Sequence, residues 1–370
     1  MKNHSFLQAL KSLALLPFIL LTGCMSEGVG ILVYDLAESR VVSFIPQENQ
    51  ERQSLLIQRG ANGDTFFTFD ENGKRLSQKG RWRDGKPCIA ERDIKGDIVA
   101  QWETAIPPPY YPMTSMALSP GKEKVAYIIG SVRPAPYLVK FSGDFRQSLN
   151  EARITTKDGS LLKILNERPN GISTLNKGIH WLSDETVITS SHLWKDRSDQ
   201  IVKYDLKTDE ETNIDYSFGW ALTTNYLLPS PDNRYVLLLR KSENYIDVLD
   251  PWMMTIVDEI QVIKGTGIAN IGSTWLNNDE FLTWDKHSSL IIRYNISTRQ
   301  LMPVKAEFPT EKYKISTFMG NHFILRKDGD YGKWSYNVKT KELRKITSYA
   351  VGCIYPLNDN IILLDRAIRP

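Results

Sequence analysis

The chain has 370 residues, 24% of them charged and 41% hydrophobic, and a formal net charge of +3. So even a balance offers no bulk electrostatic case for nucleic acid. The length exceeds a typical single domain, although repeat architectures run this long as one closed unit. Abundant Tyr, Trp, Val, Ile and Thr, with turn clusters about every ten residues, argue for an all-β chain with no linker and no low-complexity segment.

Residues 1–24 carry Lys2 and Lys11, no acidic residue, an apolar run Leu13–Leu21 and the ending Leu21-Thr22-Gly23-Cys24. A charged start, a short apolar core and small residues before a cut describe a secretory signal over residues 1–23, too short for a stable spanning helix. The tetrapeptide resembles the lipobox of bacterial lipoproteins. That resemblance implies acylation of Cys24 as the new N-terminus, an address on the periplasm-facing side of the envelope, and, with Met25 rather than Asp next, the outer membrane. The mature chain is then held by its lipid without spanning the bilayer. Loss of the two lysines brings its charge to +1. Cys88 and Cys353 remain as an even pair in an oxidising compartment, compatible either with one disulfide or with two separately buried thiols.

The first complete unit spans residues 52–105 and the second 113–166, with an insertion around Gly143–Ala152. Phe145, Leu149 and Ala152 there have a weak helical spacing. Further units span 177–214, 219–260, 270–304 and 315–347. The fourth contains Leu228–Ile260, a four-stranded meander: a turn Ser230-Pro231-Asp232-Asn233, a strand Tyr235–Leu239, a strand Tyr245–Leu249, a turn at Asp250-Pro251 and a strand Met254–Ile260. Its second turn recurs as Tyr204-Asp205-Leu206, Leu249-Asp250, Tyr294-Asn295-Ile296 and Tyr336-Asn337-Val338, at intervals of 45, 45 and 42 residues. These are propeller-blade periods. The first turn recurs after Leu118, Leu182 and Leu276. Residues 351–366 supply only two strands, and residues 29–45 supply the missing outer pair, with the same Tyr34-Asp35-Leu36 turn. The expectation is a seven-bladed β-propeller, a single domain over 24–370, whose closing blade is shared between the two ends of the chain.

The segments SPGKEKVAYI and SPDNRYVLLL resemble the Ser-Pro-Asp turns of TolB-like and WD40-like propellers. The resemblance implies a scaffold and no particular chemistry.

Mature His180 and His192 fall in the third unit, His287 in the fifth and His322 in the sixth, with no second ligand close by in sequence, so no metal and no cofactor is expected, and His322 reads as a packed core residue. Asp70-Glu71-Asn72-Gly73 and Asp328-Gly329-Asp330 start like calcium loops but do not continue as one, and read as hairpin turns. No GxSxG, HExxH or phosphate-loop motif is present, so no catalytic residue is assigned. The turns joining first to second and third to fourth strands are short and plain. The loops on the other face carry large side chains: Tyr110, Tyr111, Arg133, the stretch His192–Gln200 with Trp194, Lys195 and Arg197, then Trp220, Lys286, His287 and Tyr331. Tyr, Trp and Arg dominate interface energetics, and loops on a rigid scaffold are where binding concentrates. The expected role is a monomeric, lipid-anchored platform binding another envelope or periplasmic protein. The rival roles are an immunity lipoprotein against a periplasm-delivered toxin, and a propeller enzyme acting on a sugar or peptide at the central tunnel.

Overall fold

The computed structural model describes residues 29–46, 57–59, 64–71, 74–75, 88–106, 110–131, 150–165, 178–193, 198–216, 227–240, 245–262, 271–285, 290–305 and 307–368. They form strands and turns, with no helix among the described residues. The N-terminal strands are β1 (Val29–Asp35) and β2 (Arg40–Pro46). Blade 1 follows with β3 (Ile57–Arg59), β4 (Thr65–Glu71), a short arm β5 (Lys74–Arg75) paired to β4, β6 (Cys88–Asp93) and β7 (Ile98–Glu103). Blade 2 is β8 (Tyr110–Leu118), β9 (Lys124–Ser131), β10 (Asn150–Thr156) and β11 (Leu161–Leu165). Blade 3 is β12 (Gly178–Trp181), β13 (Thr186–Leu193), β14 (Ser198–Asp205) and β15 (Glu210–Tyr216). Blade 4 is β16 (Leu227–Pro229), β17 (Val236–Arg240), β18 (Tyr245–Asp250) and β19 (Thr255–Gln261), and blade 5 is β20 (Ile271–Trp275), β21 (Glu280–Asp285), β22 (Ile291–Asn295) and β23 (Gln300–Val304). Blade 6 is β24 (Tyr313–Met319), β25 (His322–Lys327), β26 (Lys333–Asn337) and β27 (Leu343–Thr347). Blade 7 joins the two ends of the chain in the order β28 (Ile354–Pro356), β29 (Ile361–Ile368), β1, β2. The fold is therefore a seven-bladed propeller closed by a shared blade, as its repeats predict.

First strands touch first strands around the ring, β3 with β8, β8 with β12, β12 with β16, β20 with β24 and β28 with β3. They form its inner wall. The hydrophobic core is divided among seven seams between neighbouring blades. In β17, Val236 and Leu238 pack toward blade 3, while Leu237 and Leu239 pack toward blade 5. A strand covered on both faces needs no polar alternation, which is why these segments read as unbroken apolar runs. The outermost strands cover one face only, so Ile256, Val257, Leu301 and Met302 stay partly in water.

Local chemistry builds the turns. Between third and fourth strands, Asp205 Oδ1 accepts from the amides of Lys207 and Thr208 at 2.9 and 3.0 Å, and Asp250 Oδ1 accepts from Trp252 and Met253 at 2.9 Å each. Asn337 Oδ1 accepts from Lys339 and Thr340 at 2.9 and 3.1 Å. Four residues after each such Asp or Asn the chain turns left-handed, at Ser39, Asp209, Met254, Arg299 and Lys341, with φ between 53° and 62°. The first turn of blades 2 and 4 uses Ser119 and Ser230 in the same way, with Lys122 and Asn233 both at φ 58°. Short polar side chains that bond the backbone stabilise this geometry.

Two local expectations change, and the cysteine pair, left open above, is neither bonded nor buried. Ala152, placed by spacing in a helical turn, lies in β10 opposite Leu165 and is wholly buried; Phe145 and Leu149 lie outside the described residues. Cys88 and Cys353 form no disulfide. Cys88 opens the third strand of blade 1 and Cys353 precedes the innermost strand of blade 7. Two strand spacings, about 10 Å, separate those radii, beyond the ~7 Å limit between bonded Cα atoms. Asp70, read as part of a plain turn, is fully buried in β4 and ion-paired with Arg92, while Thr68 Oγ1 donates to it at 2.5 Å. The hairpin expected there does form, between β4 and β5.

Candidate functional site: the loop rim of blades 6 and 7

The two rims differ in how they are held. On the turn side, side chains stitch one blade to the next: Lys124 to Glu185 at 2.6 Å, Lys163 to Asp209 at 2.7 Å and Arg234 to Asp279 at 2.6 Å. That side is less plain than its sequence suggests. The turn of blade 4 displays Trp252, 44% exposed, and Met253, 72% exposed.

On the loop side, the fullest described stretch belongs to blades 6 and 7. Its centre is the hairpin between β25 and β26, Asp328-Gly329-Asp330-Tyr331-Gly332. Gly329 sits at φ 77°, which an L side chain resists. Asp330 Oδ1 accepts the Gly332 amide at 2.7 Å, and Oδ2 accepts Lys345 Nζ at 2.9 Å. The hydrogen bond from Lys345, reinforced by that from Gly332, holds the Asp330 carboxyl below its ordinary pKa. A side chain at Gly332 would place Cβ 2.2 Å from the Thr347 carbonyl oxygen, so the backbone approach there needs glycine. The amide of Asp328 donates to the Lys312 carbonyl at 3.0 Å, and that of Lys333 to Thr347 Oγ1 at 3.1 Å. Every arm of the hairpin is thus tied to the body of the blade.

At its tip Tyr331 is 81% exposed. Behind it, Trp334 meets Tyr313 edge-on at 5.6 Å between ring centres, with Lys327 and Lys345 ammonium groups 5.6 and 5.4 Å from its own. The result is a rigid, aromatic, partly cationic projection, the composition that anchors interfaces.

Of the other residues expected to bind a partner, Tyr110 and Tyr111 open β8 opposite Ser131 and Gly130, and His192 lies in β13 opposite Asp199. Arg133, Trp194, Lys195, Arg197, Trp220, Lys286, His287 and the lipidation residue Cys24 lie outside the described residues. Tyr331 is exposed on the loop side where the sequence placed it, but its setting was not legible in the chain. Lys327, Trp334 and Lys345 come from three different strands, and only their registers bring them together.

Two of the histidines, His180 and His322, are held within the blades. His180 of β12 bonds the Leu227 backbone of the next blade, and burial pushes its pKa down to about 4. His322 is 4% exposed, as a core residue should be, and its Nε2 lies 3.0 Å from Asn337 Nδ2. Among the described residues no three His, Cys, Asp or Glu side chains gather as a metal-binding group.

No family model matches the chain, and no curated protein matches its sequence. Solved structures do resemble it. The β-propeller domain of Cps50 (Swd1) from Myceliophteria thermophila is 11% identical, with a TM-score of 0.51 over 86% of this chain and 98% of that one. The periplasmic gluconolactonase PpgL of Pseudomonas aeruginosa is 12% identical, with a TM-score of 0.50 over 92% and 99%. A protein of unknown function from Desulfotomaculum acetoxidans is 9% identical, with a TM-score of 0.51 over 92% and 100%. The likeness is one of fold. An enzyme stands among these neighbours, so the fold leaves the chemistry open.

Proposed function

We propose that the chain is a lipid-anchored platform in the bacterial envelope that captures another envelope or periplasmic protein on its loop rim. The observation that carries this reading is Tyr331, largely exposed on a hairpin whose every arm is tied down. A pre-ordered aromatic loses little rotamer freedom on binding, so its contact area converts efficiently into affinity. The address rests on Leu21-Thr22-Gly23-Cys24, whose Cys takes the acyl chains. An immunity role would use the same surface against a toxin, and differs only in the partner.

A pull-down from envelope extract with the lipidated protein supplies the partner, and a titration then tests the surface. Tyr331→Ala and Trp194→Ala should each weaken binding by about 2 kcal/mol with the melting temperature unchanged. Lys207→Glu, on the turn side, should have no effect. If both aromatic variants bind as the parent does, the loop rim is not the docking surface. Anchoring has its own assay: Cys24→Ala should leave the membrane fraction or stall in processing, and unaltered membrane association would refute the lipoprotein reading.

A further inference from the structure

Blade 6 carries, at its loop end, an arrangement that packing does not call for. Lys314 of β24 stands opposite Arg326 of β25, and Arg326 stands opposite Lys333 of β26. Residues directly opposite project from one face with Cβ atoms about 5 Å apart, and like charges so placed repel. The neighbouring residues identify the face. Tyr313, Ile315, Phe323, Leu325, Trp334 and Tyr336 pack toward blade 5, whereas Ile324 packs toward blade 7. The three cations alternate with the first set, so they open onto the mouth of the seam between blades 6 and 7.

No carboxylate among the described residues pairs with them. Among the described residues none of the three is in an ion pair, and Lys314 Nζ donates only to the Thr310 carbonyl, at 3.1 Å. The nearby Asp330 is engaged by Lys345 on the other side of the sheet. Lys333 is half-buried, and burial, followed by the charge of Arg326, lowers its pKa; Cys353 of the linker into blade 7 opposes that shift. Three aligned cations, one of them half out of water, favour an anion from outside the chain, and phosphate oxygens suit both Arg and Lys.

We propose that Lys314, Arg326 and Lys333 form a phosphate-binding mouth that takes anionic phospholipid headgroups of the membrane holding the protein. The choice of a lipid source rests on the lipoprotein reading. Val29 opens β1 opposite Ile368, at the loop end of blade 7, and the five residue steps from Cys24 to Val29 reach at most about 18 Å. An acylated Cys24 therefore keeps the loop end of blade 7 within about 18 Å of the bilayer surface, and blade 6 is the next blade in the ring. Each Lys or Arg near an anionic surface contributes attraction that falls off within a Debye length.

The test is flotation of the full chain with phosphatidylcholine vesicles, with and without phosphatidylglycerol, for the parent and for an Arg326→Glu/Lys333→Glu variant. Retention on phosphatidylcholine alone reads the anchor. The additional retention on phosphatidylglycerol reads the cationic mouth. The parent should gain about tenfold from the anionic lipid at low salt, and the variant should lose that gain while retaining its phosphatidylcholine binding. The variant relieves a like-charge ladder, so its melting temperature should not fall; Lys207→Glu/Lys339→Glu on the turn side should keep the gain. Equal retention of parent and variant on anionic vesicles would overturn the proposal, even with the anchor intact. Absence of phosphatidylcholine binding with the gain preserved would instead remove the anchor and leave the mouth. Binding of inorganic phosphate by the parent with no gain in retention on phosphatidylglycerol would replace the headgroup by a free anion and overturn the lipid assignment.

Discussion

Trp181 and Trp275 occupy equivalent places at the ends of β12 and β20, and each indole reaches back to the preceding blade. Trp181 Nε1 donates to the Ala117 carbonyl and Trp275 Nε1 to that of Leu228, both at 2.8 Å. Phe at either position should keep most of the packing but strand a carbonyl, costing about 1–2 kcal/mol in urea unfolding; an unchanged midpoint would show that water replaces the indole. His180 makes a pH-dependent contribution. Its folded pKa of about 4 lies below the ordinary 6.5 because burial disfavours the charged ring. The unfolded chain therefore binds the extra proton between those values. His180 is stabilising in full above pH 6.5, and that contribution is lost as pH falls toward 4, by up to about 3 kcal/mol. His180→Gln should flatten the loss of stability between pH 6.5 and 4, leaving the part due to His322, which burial shifts the same way. An identical pH slope in the variant would mean that His180 titrates alike in the folded and the unfolded chain.

The blades are similar as elements without being interchangeable. Thr189 in blade 3 and Thr283 in blade 5 donate to the carbonyls of Gly178 and Gly272, at 2.7 and 3.1 Å. The two glycines face different surroundings. A Cβ on Gly272 would lie 2.4 Å from the buried indole of Trp284, whereas one on Gly178 would meet Leu227 at an ordinary 3.9 Å. Gly272→Ala should destabilise by about 1–3 kcal/mol through overpacking, and Gly178→Ala should change the melting temperature little. Equal effects from the two would indicate that blade 5 shifts to make room. In the hairpins, the shared Asp or Asn carries the turn, so Asp205→Ala should cost about 1 kcal/mol as its two backbone bonds are lost.

At the scale of the whole molecule, stability depends on closure. β1 lies between β29 and β2, and its Ile31, Leu32 and Val33 fill the seams on both sides of blade 7. Removing residues 25–45 would expose the edge of β29 and open two seams at once, so the entire ring should unfold earlier and less cooperatively. A truncated protein with the parent's calorimetric melt would mean that six blades close without the seventh. Closure also sets what faces what, because the N-terminal strand enters from the loop end. On the lipoprotein reading proposed above, an anchor at that end would make the two faces of the ring unequal.

The architecture was legible in the chain because its signals are local. The Asx turns after Tyr34, Tyr204 and Tyr336, the spacing of 45 residues and the split blade all depend on contacts within a few residues or on counting. Tyr331 was legible for the same reason, as a large residue in a Gly- and Asp-rich turn. What the chain could not disclose depends on register and radius. Asp70 finds Arg92 across a sheet, Trp334 collects Lys327 and Lys345 from separate strands, and Lys314, Arg326 and Lys333 align only once three strands pair. Cys88 and Cys353 belong to adjacent blades but lie at different distances from the axis, a difference that sequence order does not carry. Hairpin chemistry is written residue by residue, whereas the meeting of side chains across strands and blades is decided by the packing of the closed ring.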